Sequence, residues 1–169
     1  MAIHRLNHAV LYVADVERSV AFYRDVLGFR TKAAMPGAAF LQAPGSTNDH
    51  DLGLFQVGDR PHQEGGIGLY HLAWEVESLN DLEDHLVRLS DAGALVGMSD
   101  HGTTKSLYAK DPDGIEFEVV WLIPAHLLTG DEGSDDARPK PLDLAKEKAR
   151  YGGDTRGGIG ISIPVGVTV

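Results

Sequence analysis

The sequence predicts an α+β fold in which two βαβββ modules form a curved mixed sheet around a cavity, and three observations predict it. A histidine in a strand-like run occurs twice, in LNHAVLYVAD and LYHLAWEVES, which puts His8 and His71 63 residues apart. Each run leads into a segment with apolar residues at helical spacing, behind an Asp or Ser suited to cap it. Each of those segments is followed by short runs of β formers separated by turn residues. Self-similarity at this period means that neither half buries its sheet face alone.

Ile3 to Val13 reads as the first strand, and Asp15 is placed to cap a helix over Val16 to Leu27. Val16, Val20, Tyr23 and Leu27 recur at helical spacing, Phe22 and Val26 widen the stripe, and Gly28 follows as a C-terminal stop. Strands are expected near Phe29 to Ala34, Ala38 to Ala43 and Asp51 to Val57, with the loop Pro44 to Asn48 between the last two. The first module thus spans residues 1–57, and a glycine-rich connector occupies 58–69.

The pattern restarts with a strand over Tyr70 to Val76 and a helix over Leu79 to Ala92, capped by Ser78 and ended by Gly93. Ala94 to Met98, Thr103 to Ala109 and Ile115 to Trp121 supply three more strands and complete a second module over residues 70–123. Residues 124–169 form a C-terminal extension of different character. Thr129 to Lys140 is polar and rich in turn formers, Pro141 to Tyr151 suits a short helix, and GGIGISIPVGVTV is apolar but irregular.

Composition excludes several classes of function. The chain has 169 residues, 43% of them hydrophobic, which suffices for a substantial interior. It has no cysteine, so neither a disulfide framework nor a thiolate site exists and any metal must be held by nitrogen and oxygen. The net charge of −10 argues against nucleic-acid binding, which needs a basic footprint. Apolar runs are too short to span a bilayer, and no long apolar region follows Met1 to Arg5 as a signal peptide requires. A cytoplasmic protein without membrane or nucleic-acid partners is expected.

The chemistry concentrates in HGTTKSLYAKDPDGIEFE, residues His101 to Glu118. Asp111-Pro112-Asp113-Gly114 is strong turn chemistry and is expected to be structural. Alternation puts Ser106 and Tyr108 on one face of the incoming strand and Glu116 and Glu118 on one face of the outgoing one. His101, Tyr108 and Glu118 are thereby directed toward a common space. A carboxylate inside IEFEVVW is expensive unless it is paired or ligates a metal. His8 and His71 in equivalent strands, with Glu118 in a third, make a two-histidine, one-carboxylate triad that leaves metal positions open for substrate or oxygen, so the cavity is expected to contain a metal. Glu116 shares Glu118's face and is the alternative carboxylate. His4, His62, His85 and His126 lack matching partners and read as surface residues, and Asp51 is expected to point away from the cavity.

On these residues the chain resembles the vicinal oxygen chelate superfamily, which includes glyoxalase I, fosfomycin-resistance enzymes, bleomycin-binding proteins and extradiol catechol dioxygenases. The resemblance covers residues 3–121 and implies His8, His71 and Glu118 as metal ligands. The run His101, Leu107-Tyr108, Asp111-Pro112, Gly114, Glu118 resembles the extradiol dioxygenase signature, although Ser99, two places before His101, departs from it. That branch implies a catechol-type aromatic and O2 as substrates. It implies Fe(II), with Mn(II), Ni(II) or Zn(II) as alternatives, and a homodimer. His101 and Tyr108 would hydrogen-bond the metal-bound substrate, and His50 would be the acid/base. A glyoxalase-type lyase or isomerase is the next reading, although its fourth ligand, usually a carboxylate, is missing from Leu52-Gly53-Leu54. A non-catalytic resistance-type binding protein on the same fold is the third.

Overall fold

In the computed structural model, residues 3, 5–60, 65–130, 132 and 138–158 are described. The chain divides into two compact units, one of Met1–Gly66 with Asp111–Ile115, the other of Ile67–Lys110 with Glu116–Val169. Each contains one four-stranded mixed sheet with a helix, so the α+β architecture of paired βαβββ modules is present.

The first unit comprises β1 (Ala9–Val13), α1 (Val16–Asp25), β2 (Arg30–Met35), β3 (Ala38–Gln42) and β4 (Leu52–Gln56), in sheet order β1-β4-β3-β2. Asp15 caps α1 by accepting from the Arg18 amide at 3.0 Å. Gly28 turns the chain out with φ +77°, a conformation that L side chains rarely adopt. Leu11 and Val13 alternate inward on β1 and pack with Val16, Tyr23, Leu27, Leu41, Leu52 and Leu54, while Val10 and Tyr12 stay exposed. Val20 and Phe22, part of the expected stripe, are half-buried, and Ser19 takes the fully buried place between Val16 and Tyr23.

The turn Asp111–Ile115 belongs to this unit and is structural, as expected. Asp111 accepts from the Asp113 and Ile115 amides at 2.9 Å each and from the Tyr23 hydroxyl at 3.2 Å. Asp113 pairs with Arg18 and accepts from the Ala14 amide. Asp51 likewise locks a loop, accepting from the Ala43 amide, Ser46 Oγ and Asn48 Nδ2 at 2.7–2.8 Å.

The second unit comprises β5 (Leu72–Glu75), α2 (Leu79–Asp91), β6 (Leu95–Asp100), β7 (Thr104–Lys110), β8 (Glu116–Leu122) and α3 (Leu144–Tyr151), in sheet order β5-β8-β7-β6. Ser78 and Asp81 form a reciprocal cap on α2, with Ser78 Oγ 3.1 Å from the Asp81 amide and 2.6 Å from its carboxylate. Leu79, Leu82 and Leu89 are fully buried against Leu107, Phe117, Val119 and Trp121. The helix expected from Pro141 starts later, because Asp143 caps it by accepting from the Lys146 amide at 3.0 Å. Trp121 Nε1 donates to Thr155 O at 3.2 Å, and its ring lies 5.8 Å from that of Tyr151.

The repeat extends to register. In one sheet β1 runs parallel to β4 with Ala9 opposite Leu52, and in the other β5 runs parallel to β8 with Leu72 opposite Phe117. A bulge between Thr31 and Ala33 in β2 recurs between Leu95 and Gly97 in β6. Among the described residues no helix is long and apolar enough to cross a membrane.

Candidate metal centre

His71 lies one residue ahead of the first paired residue of β5, so the strand expected over Tyr70 to Val76 is shorter and holds its histidine at the mouth rather than the middle. The parallel partner β8 brings Glu118 alongside, and His71 Nε2 stands 3.1 Å from Glu118 Oε2. Two metal–ligand bonds of about 2.1 Å at right angles place their donor atoms about 3.0 Å apart. The observed separation therefore suits neighbouring ligands of one ion. It also serves a direct imidazole–carboxylate pair, whose shared proton an incoming ion would displace.

Alternation along β8 sets both carboxylates on one face, and their distances to His71 distinguish them. Phe117, Val119 and Trp121 face the core, while Glu116 and Glu118 occupy the other, half-buried face. Glu118 is therefore less enclosed than its apolar neighbours suggest. Glu116 Oε1 lies 3.9 Å from His71 Nδ1, a buried atom with no hydrogen-bond partner among the described residues. One carboxylate thus meets Nε2 at close range, and the other stands beyond hydrogen-bond distance of Nδ1. Glu116 also bonds the Tyr70 phenol and raises its pKa.

Beside this pair stands a second one. Tyr108 is opposite Glu118 across the β7·β8 ladder, its ring 5.7 Å from that of His71, and its hydroxyl is 2.8 Å from His101 Nε2. Burial, then the Glu118 charge, pushes the Tyr108 phenol above its ordinary pKa. Tyr108 is therefore a protonated donor at neutral pH. The second unit alone unites four expected site residues: His71, Glu118, Tyr108 and His101.

The first unit holds the other two. His8 lies one residue ahead of β1, as His71 does ahead of β5, again short of the mid-strand place expected for it. Its Nδ1 is 2.9 Å from Asn7 Oδ1 and its ring is 4.6 Å from that of His50. A carbonyl oxygen only accepts, so Nδ1 is the donor in this contact, and in the neutral ring that tautomer keeps a lone pair on Nε2. His50 Nδ1 meets Asp49 Oδ2 at 3.0 Å, which by the same reasoning leaves its Nε2 free to act as a base. The Asp49 carboxyl is held below its ordinary pKa by this bond.

The matched registers show how the halves differ. Phe40 is opposite Gly53 in the first sheet where Tyr108 is opposite Glu118 in the second. The first module thus keeps the histidine and replaces both the carboxylate and the phenol with groups that cannot ligate. Among the described residues no group of three or more His, Asp or Glu side chains gathers closely enough to hold a metal. The second unit supplies a donor pair, and His8 belongs to the other unit.

Asn7, Asp49 and Glu116 as partners of the three imidazoles were not expected. Asn7 and Asp49 each immediately precede their histidine, and that adjacency was the available signal. His126 is exposed as expected, whereas His85 is half-buried with Nδ1 bonded to Asp81 O at 2.8 Å. His4 and His62 lie outside the described residues, as does most of GGIGISIPVGVTV.

Comparison with known proteins places these features. The family described as the Glyoxalase/Bleomycin resistance protein/Dioxygenase superfamily matches residues 5–119. The chain is 33% identical over 135 residues to biphenyl-2,3-diol 1,2-dioxygenase 3 of Rhodococcus globerulus, covering 78% of this chain and 68% of that protein. It is 31% identical over 125 residues to lactoylglutathione lyase of Neisseria meningitidis serogroup B (strain ATCC BAA-335 / MC58), covering 69% and 89%. The match to catechol-2,3-dioxygenase of Bacillus subtilis (strain 168), 30% identical over 119 residues and 68% of this chain, spans only 40% of that protein's length. A glyoxylase/bleomycin resistance protein/dioxygenase domain from Frankia sp. EAN1pec shares the fold at a TM-score of 0.63 and 24% identity, over 75% of this chain and 98% of that one.

Proposed function

This chain belongs to the glyoxalase/bleomycin resistance protein/dioxygenase superfamily, also called the vicinal oxygen chelate superfamily, and within it we propose that it is a metal-dependent extradiol dioxygenase that opens a catechol-type aromatic with O2. The observation that carries this reading is the Tyr108–His101 pair beside the His71–Glu118 donor pair in one unit. A chelated diol presents an oxygen for this pair to hold as charge develops there.

The proposed ligands are His71, Glu118 and His8, the last on the strength of its matched place ahead of β1 and the Nδ1–Asn7 contact, which occupies the other ring nitrogen. Fe(II) suits this nitrogen and oxygen set, with Mn(II), Ni(II) or Zn(II) as alternatives. When bound, such an ion supplies Lewis acidity toward the diol and, if redox-active, an electron path between diol and O2. His50 takes a hydroxyl proton at Nε2 and returns one later, with Asp49 holding its ring and stabilising the imidazolium. Tyr108 donates its phenolic proton to a substrate oxygen as charge develops there, and His101 Nε2 fixes the phenol's direction.

The similarity to lactoylglutathione lyase makes a glyoxalase-type reaction the second reading. Gly53 at Glu118's matched position speaks against it, because the first module offers no second carboxylate there. Isotope labelling separates the two. Protein loaded anaerobically with Fe(II) and given catechols under ¹⁸O2 should yield a ring-opened product carrying both labelled atoms. Unlabelled product, or turnover of a hemithioacetal without O2, would refute the dioxygenase reading.

A further inference from the structure

The family match ends at residue 119, yet the chain beyond it is fastened to the segment that carries His101. An antiparallel bridge joins them, with the Asp100 amide donating to Lys140 O at 2.8 Å and the Lys140 amide to Asp100 O at 2.9 Å. At Gly102, φ +81°, an added Cβ would lie 1.9 Å from Glu132 O, so the extension's backbone rests directly on this loop. The third attachment is ionic. Lys105, 1% exposed, donates to Asp100 Oδ1 at 2.5 Å and Gly102 O at 3.2 Å, and pairs with Glu147 of α3 at 3.2 Å.

Arg150 closes the arrangement by pairing with Glu132 at 3.2 Å and lying 4.7 Å from the centre of the Tyr151 ring. Desolvating an ammonium and a carboxylate this deeply is an inefficient way to gain stability. α3 already buries Leu144 and Tyr151, and Leu142 precedes it in the core. What the ionic group adds is geometry. Asp100 and Gly102 flank His101, Asp100 Oδ1 also accepts from the Gly102 amide at 2.8 Å, and Lys105 gathers both flanks to one point.

We propose that the C-terminal extension is a clamp that positions His101 through Glu147 and Lys105, so that His101 and Tyr108 meet a substrate oxygen as a preset pair. The role of that pair in turnover rests on the dioxygenase reading, whereas the clamp itself does not. Lys105 and Glu147 are positioning residues. Lys105 holds the Asp100 carboxylate on one side of His101 and the Gly102 carbonyl on the other, and Glu147 acts through Lys105; displacement of a reacting contact by about 1 Å costs on the order of 10²-fold in rate.

The test uses the full chain and reads His101 directly. Imidazole NMR signals are compared in wild type, Tyr108→Phe, Glu147→Gln and Lys140→Pro, the last removing the amide that donates to Asp100 O without stranding a buried charge. In both extension variants the His101 signal should move in the direction set by Tyr108→Phe while the His50 and His85 signals stay in place. A stationary His101 signal in folded Glu147→Gln and Lys140→Pro overturns the clamp whatever the activity. With Fe(II)-loaded protein and 2,3-dihydroxybiphenyl as probe, Glu147→Gln should lose roughly 10- to 100-fold in kcat at unchanged metal content, and Glu147→Asp should recover part of it. An active wild type matched by Glu147→Gln overturns the clamp's part in turnover. A metal-loaded wild type inactive across a panel of substituted catechols, whose His101 signal still responds, overturns the dioxygenase reading and supports the clamp.

Discussion

Replacing Tyr108 with Phe removes one hydroxyl and little else, which makes its consequences calculable. The ring stays between His71 and the β7·β8 ladder, so packing is kept. The 2.8 Å bond to His101 Nε2 is lost, and a single neutral hydrogen bond of this kind contributes about 1 kcal/mol to stability. The loss should be no larger than that, since half-buried His101 can turn to water. Rate should respond more strongly. A hydrogen bond to an oxygen that becomes charged is worth about 1.5–3 kcal/mol, and at 1.36 kcal/mol per decade kcat should fall about 10- to 150-fold. Metal content should not change, because Tyr108 is no ligand, and KM should move less than kcat. Because burial and Glu118 raise the phenol's pKa, any limb of the pH–rate profile that Tyr108 contributes lies on the alkaline side and should vanish in Tyr108→Phe. Steady-state kinetics beside metal analysis checks this. Loss of metal, or kcat within twofold of wild type, would refute the donor role.

Other substitutions address the remaining parts. His8→Ala, His71→Ala and Glu118→Ala should each weaken Fe(II) binding by on the order of 10²-fold, as expected if each ligand carries roughly 3 kcal/mol, and unchanged affinity in a titration would remove that residue from the ligand set. His50→Phe should keep the metal and lose 10²-fold or more in kcat, on the order of a general base's contribution, while Asp49→Asn should shift the activity profile with a smaller loss. An unaltered profile in both would exclude His50 as the base. Burial holds the Asp111 carboxyl above its ordinary value. Folding therefore favours its protonated form, so this group's contribution is fully present below its unfolded pKa and is lost as pH rises through the raised folded value. Asp111→Asn should flatten that part of the stability–pH curve in chemical denaturation, and an unchanged slope would contradict the burial.

The fold was legible because its punctuation is local. Asp15, Ser78, Gly28 and Gly93 act within one or two turns of where they stand, so caps and stops can be read without knowing what the helices pack against. Strand ends were less legible. Residues 5–8 continue the β-forming run into β1, but pairing with β4 begins only at Ala9, and partner length is not written in the strand itself. The match of Gly53 to Glu118 was hidden because His8 and Gly53 are 45 residues apart whereas His71 and Glu118 are 47 apart. Only the register aligns them. Within the candidate site, the contacts between His71 and Glu118 and between His101 and Tyr108 follow from alternation on β7 and β8. The attachment of Lys105 to Glu147 joins positions 42 residues apart with no repeat or period to link them, and it becomes visible only once α3 is in place.

One measurement bears on the proposed reaction more directly than any substitution. Protein loaded anaerobically with Fe(II) is mixed with a panel of substituted catechols in an oxygen electrode, and the visible spectrum is followed. The proposed chemistry predicts one O2 consumed per catechol, with a yellow ring-fission product for at least one member of the panel. With the metal shown to be bound, absence of oxygen uptake across the panel would contradict extradiol cleavage.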